Sequence, residues 1–210
     1  MTIGALINRT KYNAFRWRYQ SSVAKKLALA LGMAVVTGLL AQVRFALPFT
    51  PVPLTGQTFG VLLAGVLLGQ WWGAISMLLY VALGVAGVPL FTGWGSGIAW
   101  LAGPTGGYLI GFVLAALFIG FVSDRFVKAR RFPAMLGLFL TADFLLIYIP
   151  GLAGLYLWSN FISHNHATLL SVFMMGAVPF FIGDAVKAIA AAATASAITP
   201  KTAFSKRQHE

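Results

Sequence analysis

The chain contains no cysteine. Disulfides, thiolate metal sites and cysteine nucleophiles are therefore excluded outright. Acidic side chains are almost as scarce: Asp124, Asp143, Asp184 and Glu210 are the 4 among 210 residues. Charged residues of both signs reach only 9%, where a soluble domain carries about 25%. A soluble globular fold is excluded with them. No serine lies in a nucleophile-elbow sequence, so nothing supports a hydrolase. Gly93-Trp94-Gly95-Ser96-Gly97 has the glycines of a phosphate cradle but lacks the Lys-Ser/Thr pair of a Walker A loop. ATP, if it drives this chain, is hydrolysed by another one. His164-Asn165-His166 has no third ligand nearby and reads as solvated rather than metal-binding. No metal and no cofactor is expected.

What is present is long apolar runs, with 59% hydrophobic residues overall. At about 20 residues per spanning helix, the length fits an all-α integral membrane protein of six transmembrane helices. A basic tail occupies residues 1–26, the membrane domain residues 27–198 and a second tail residues 199–210. The spans read as Leu27–Pro48, Gln57–Gly69, Gly73–Leu90, Gly106–Ser123, Pro133–Trp158 and Thr168–Ile198. Pro48-Phe49-Thr50-Pro51-Val52-Pro53 ends the first of these, since its prolines remove donors and fix φ. A kink is expected at Pro150-Gly151.

The net charge of +11 does not point to nucleic acid, because the basic residues lie between apolar runs and form no aromatic-interleaved patch. They point to orientation instead. Of the 15 Lys and Arg, six lie in the N-terminal tail (Arg9, Lys11, Arg16, Arg18, Lys25, Lys26). Four lie in the loop 124–132 (Arg125, Lys128, Arg130, Arg131) and three in the C-terminal tail (Lys201, Lys206, Arg207). All three segments fall on one side of a six-span arrangement. The positive-inside rule makes both termini cytoplasmic. The uncharged loops around Pro48–Gly56 and Phe91–Thr105 then lie outside, where Trp94 and Trp100 anchor the interface or cap a pocket.

Asp184 and Lys187 stand in the apolar run Thr168–Ile198. In one continuous helix Lys187 would lie about 16 Å from the far end, too deep to snorkel. Three residues apart, the two can pair. An intramembrane ionisable residue marks a functional site by default; the alternative is an ion pair that pins two helices. Asp143 is a third deep charge, which joins that pair or hydrogen-bonds within the bundle. Arg44, near the outer end of its span, either snorkels or places a cation at the mouth of an external site. Gly107, Gly111 and Ala115 are spaced for close helix packing. Ala24/Ala28 and Ala30/Ala34 form similar seams, for packing or for docking another membrane subunit.

Three stretches together resemble one family: Pro53-Leu54-Thr55-Gly56-Gln57-Thr58, then Gly87-Val88-Pro89-Leu90-Phe91 with Gly103-Pro104-Thr105-Gly106-Gly107-Tyr108-Leu109-Ile110-Gly111-Phe112, and Gly183-Asp184-Ala185-Val186-Lys187. The chain is similar to BioY, the biotin-specific substrate-binding component of energy-coupling factor transporters, from Leu27 to Ile198. The resemblance implies six helices, an external biotin pocket and residence in the cytoplasmic membrane of a prokaryote. It also implies partners, a membrane coupling subunit and cytoplasmic ATPase subunits, docked through a seam such as Ala24/Ala28 or Ala30/Ala34. On this reading Asp184 accepts from the ureido N–H groups while Lys187 donates to the ureido carbonyl or balances Asp184. Tyr108 and Gln57 add hydrogen bonds, Thr55 and Thr105 stand beside them, and Phe91 and Trp94 cover the thiophane ring and valeryl chain. The competing expectation, drawn from the deep charges alone, is a solitary or proton-coupled carrier using Asp143, Asp184 and Lys187.

Overall fold

The structure, a computed structural model, describes residues 3–201, with side chains from Arg9 onward. Lys206, Arg207 and Glu210 lie outside the described residues. The chain is helical almost throughout: α1 (Ile3–Gln20), α2 (Val23–Leu40), α3 (Gln57–Leu68), α4 (Gln70–Val85), α5 (Gly106–Arg125), α6 (Phe132–Thr141), α7 (Tyr148–Leu157), α8 (Leu169–Gly176) and α9 (Phe181–Ile198). π-Helical turns, Ala142–Ile147 and Trp158–Ile162, make one continuous rod of α6 and α7. Among the described residues, four helical segments are long and apolar enough to cross a membrane: Val23–Leu40, Gly106–Arg125, Phe132–Ile162 and Leu169–Ile198. Gln57–Leu68 and Gln70–Val85 are shorter apolar helices. The chain is a multi-pass membrane protein.

Helix α5 is the centre. Buried residues make up 61% of its span, against 22% for α2. Its glycines let neighbouring backbones come close, as small residues do in lipid-embedded bundles. A Cβ at Gly107 would lie 2.0 Å from the Pro150 carbonyl oxygen, and one at Gly111 2.6 Å from the Ile147 Cα. The seam read from spacing therefore seats α5 against α7 and the π-helical turn before it.

Four elements differ from the sequence reading. The basic stretch 1–26 holds a helix, α1, instead of a plain tail. Its Phe15 and Arg18 are buried while Trp17 and Tyr19 remain exposed. The Arg18 guanidinium donates to the carbonyls of Val66 and Leu67 at 2.8 and 2.9 Å, and pairs with Asp124 at 2.7 Å. Such a long-range clamp leaves no periodic signal in the sequence. The first span stops at Leu40 rather than Pro48. Beyond it Arg44–Phe45 (β1) pairs antiparallel with Leu54–Thr55 (β2), so the prolines sit in a small hairpin.

The last span is not one helix. It breaks at Val178–Phe180, a 3-10 turn carrying Pro179, because proline lacks the N–H and clashes with the preceding turn. Asp184 thus lies in the first turn of α9. The irregularity near Pro150 is the π-helical turn Ala142–Ile147 just ahead of it; π-bulges of this kind recur at functional sites.

Candidate functional site

The break before α9 puts Asp184 and Lys187 at the end of the bundle away from the Arg18–Asp124 clamp. They face α3, β2 and the start of α7, and their side chains form an ion pair. The Asp184 carboxylate is 5% exposed and also receives two hydroxyls. Thr58 Oγ1 donates to Oδ1 at 3.2 Å, and the Tyr148 hydroxyl donates to Oδ2 through a short bond. Lys187 Nζ donates onward to the Thr55 carbonyl at 2.7 Å. An ionised carboxylate offers about four lone-pair sites, and three are filled by Lys187, Thr58 and Tyr148. The cluster fixes the carboxylate while keeping capacity for a further donor.

Around this cluster lies a cavity of about 60 Å³. By about 10–15 Å³ per water, it has room for roughly four water-sized groups. Its polar lining includes Thr55, Gln57, Thr58, Thr105 and Tyr108; its apolar walls include Phe91, Trp100, Leu109, Phe112, Ile147 and Phe180. A larger cavity of about 410 Å³ is lined by Arg44, Thr50 and Ala99 among others, and shares Pro53, Thr92, Trp100 and Thr105 with the first. The two spaces adjoin through these shared side chains.

Most residues expected at the site do come together. Gln57 is buried, donating to the Tyr80 hydroxyl at 2.5 Å and accepting from Thr55 Oγ1 at 2.8 Å. Tyr108 lines the cavity, but its hydroxyl donates to the Gly176 carbonyl at 2.6 Å. That bond holds α8 against α5 and leaves the phenol oxygen as an acceptor. Phe91 is 1% exposed and wedged between Tyr80 and Trp100. It fits because Gly84 has no side chain, whose Cβ would lie 2.3 Å from the ring.

Trp94 does not line the cavity. It is 60% exposed, and its backbone N–H donates to Gln42 Oε1 at 2.9 Å. Positive φ at Gly93, Trp94 and Gly97 turns the linker so that Trp100 faces inward in its place. Asp143 lies wholly buried in the π-helical turn, and neither carboxyl oxygen has a hydrogen-bond partner among the described residues.

Thr58 and Tyr148 were not anticipated as site residues, and Trp100 only as an interface anchor or pocket cap. All are ordinary residues of a membrane helix or interface, so only Thr58, by its place in the Gln57-Thr58 motif, offered a signal.

Ala30 and Ala34 are fully buried between α2 and the bundle, so that seam is consumed by internal packing. Ala24 and Ala28 lie on the opposite face and are exposed. Gly32 continues their spacing, and a Cβ there would meet nothing within 4 Å.

Residues 10–204 match the model of the BioY family. The chain belongs to the BioY family. It is 48% identical over 142 residues to the "Probable biotin transporter BioY" of Methanothermobacter thermautotrophicus, covering 68% of this chain and 90% of that protein. It is 34% identical to the "Biotin transporter BioY" of Rhizobium etli over 81% of this chain and 89% of that one. In three dimensions it resembles the crystal structure of the S-component for biotin from an ECF-type ABC transporter. The TM-score is 0.72 at 28% identity, covering 82% of this chain and 89% of that one.

Proposed function

We propose that this BioY-family chain is the biotin-binding component of an ATP-driven importer in the cytoplasmic membrane of a prokaryote, a transporter component rather than an enzyme. The observation that carries the reading is the Asp184 cluster: a buried carboxylate paired with Lys187 and braced by Thr58 and Tyr148. The ureido ring of biotin presents two N–H donors and one carbonyl acceptor. A carboxylate beside an ammonium group answers both, and charge-assisted hydrogen bonds are the strong ones. Asp184 takes a ureido N–H through its remaining lone pair. Lys187, already held by the Thr55 carbonyl, has a third N–H for the ureido oxygen. Gln57, Tyr108, Thr55 and Thr105 supply the polar rim, and Phe91 with Trp100 covers the thiophane ring.

The inner cavity accepts the ureido group's polar atoms without rearrangement. The bicyclic ring needs more room, so Trp100 and Thr92 shift as ligand enters and join the two cavities. In this reading the six apolar segments span the membrane with both termini cytoplasmic, and the site opens outward. The energy comes from partner subunits, a membrane coupling protein and cytoplasmic ATPases, docked on the exposed Ala24/Ala28 face of α2.

Uptake of labelled biotin tests the proposal. Cells making this chain together with the partner subunits should accumulate biotin, and a Walker-lysine variant of the ATPases should abolish accumulation. Uptake that ignores the ATPases but collapses with the proton gradient would contradict it.

A further inference from the structure

We infer that Arg44 is the specificity determinant for the anionic end of the ligand, pairing with its carboxylate at the outer mouth of the site. The inference rests on the reading that biotin occupies the Asp184 cavity and deepens it. Arg44 lies on β1 directly across from Thr55 in register, and the Thr55 carbonyl is the group that holds Lys187. One backbone pair therefore ties the outer cation to the inner one. The Arg44 guanidinium rests against the Gly-rich linker: a Cβ at Gly93, whose φ is +70°, would lie 2.5 Å from Nη1. Glycine at that position leaves the space the guanidinium fills. The same side chain lines the outer cavity, which shares Thr92, Trp100 and Thr105 with the inner one.

Charge accounting gives the position its meaning. Among the described residues the carboxylates are Asp124, Asp143 and Asp184. Asp124 pairs with Arg18 at the opposite end of the bundle, Asp184 pairs with Lys187, and Asp143 is sealed in the core. None is left to pair with Arg44 at the outer end. The Arg44 guanidinium makes no hydrogen bond or ion pair with any described residue, so a rigid two-pronged donor faces the cavity mouth unspent. Guanidinium matches a carboxylate in a bidentate geometry that lysine cannot reproduce. A ligand whose ureido ring sits on Asp184 carries its valeryl chain toward the larger cavity. Its carboxylate then arrives where the cation is.

Equilibrium binding to the purified full-length protein at low salt tests this, with biotin and biotin methyl ester as probes for the wild type, Arg44→Gln and Arg44→Lys. Wild-type protein should bind biotin about tenfold more tightly than the ester, a preference worth about 1.4 kcal/mol. Arg44→Gln should lose that preference by weakening biotin alone, and Arg44→Lys should keep part of it. An Arg44→Gln protein that still prefers the acid by the wild-type factor overturns the assignment. So does one that loses both ligands while Arg44→Lys retains the wild-type preference in full, since Arg44 would then hold the hairpin rather than read the carboxylate. Failure of the wild type to bind either probe overturns the biotin reading itself, a result distinct from both.

Discussion

The three groups converging on Asp184 contribute unequally. Thr58 and Tyr148 donate to a charged acceptor, a class of hydrogen bond worth about 1.5–3 kcal/mol. Thr58→Val and Tyr148→Phe are each expected to weaken biotin binding about 10- to 100-fold, measured by titration calorimetry, while the protein stays folded. Asp143 makes the contrasting case, because its buried oxygens have no hydrogen-bond partner among the described residues. Replacing an unsatisfied buried polar group by an apolar one of similar shape is neutral or stabilising. Asp143→Leu should therefore raise the thermal midpoint and leave biotin affinity within about threefold. A large loss of affinity would instead place Asp143 with the Asp184–Lys187 pair. Asp184 and Lys187 were legible in the sequence because charge in an apolar run has few explanations. Thr58 and Tyr148 were not, since their types are at home in any membrane helix. Trp94 and Trp100 illustrate the limit: the backbone turns at Gly93, Trp94 and Gly97 decide which indole faces inward, and no side-chain property distinguishes the two.

At the scale of elements, apolar run lengths predicted where helices lie but not where they stop. The last run reads as one span, yet Pro179 divides it, and that break brings Asp184 to a helix start beside the cavity. The first run reads through to Pro48, yet the chain leaves the helix at Leu40 to make the strand that carries Arg44. Small-residue seams were visible as spacing, but spacing cannot say which face of α2 turns inward. The structure separates the two by burial, and a paired experiment follows. Ala30→Leu or Ala34→Leu should overpack the α2 interface and cost about 1–3 kcal/mol of stability, read as a lower thermal midpoint. Ala28→Leu should leave both stability and biotin binding intact and cut biotin uptake in cells with partner subunits. Equal uptake by Ala28→Leu and wild type would remove that face as the docking surface.

The whole molecule is tied at both ends. At one end Arg18 joins α1 to the last carbonyls of α3 and to Asp124, which also accepts from the Gln70 backbone N–H at 3.1 Å. Gly69, with φ at +82°, leaves the space for this contact: a Cβ there would lie 2.5 Å from the Asp124 carboxylate. Arg18→Ala should release α1, detected as faster tryptic cleavage at Arg9, Lys11 and Arg16, with biotin affinity unchanged. At the other end the hairpin, the Gly-rich linker and the break before α9 enclose the Asp184 cluster. Recognition of a ureido ring by that cluster underlies the proposed function. Its most direct test is equilibrium binding of biotin, desthiobiotin and riboflavin to purified wild-type and Asp184→Asn protein. Biotin should bind tightly, desthiobiotin measurably and riboflavin not at all, and Asp184→Asn should lose biotin binding by at least about 100-fold. Unchanged biotin affinity in a folded Asp184→Asn protein would contradict it.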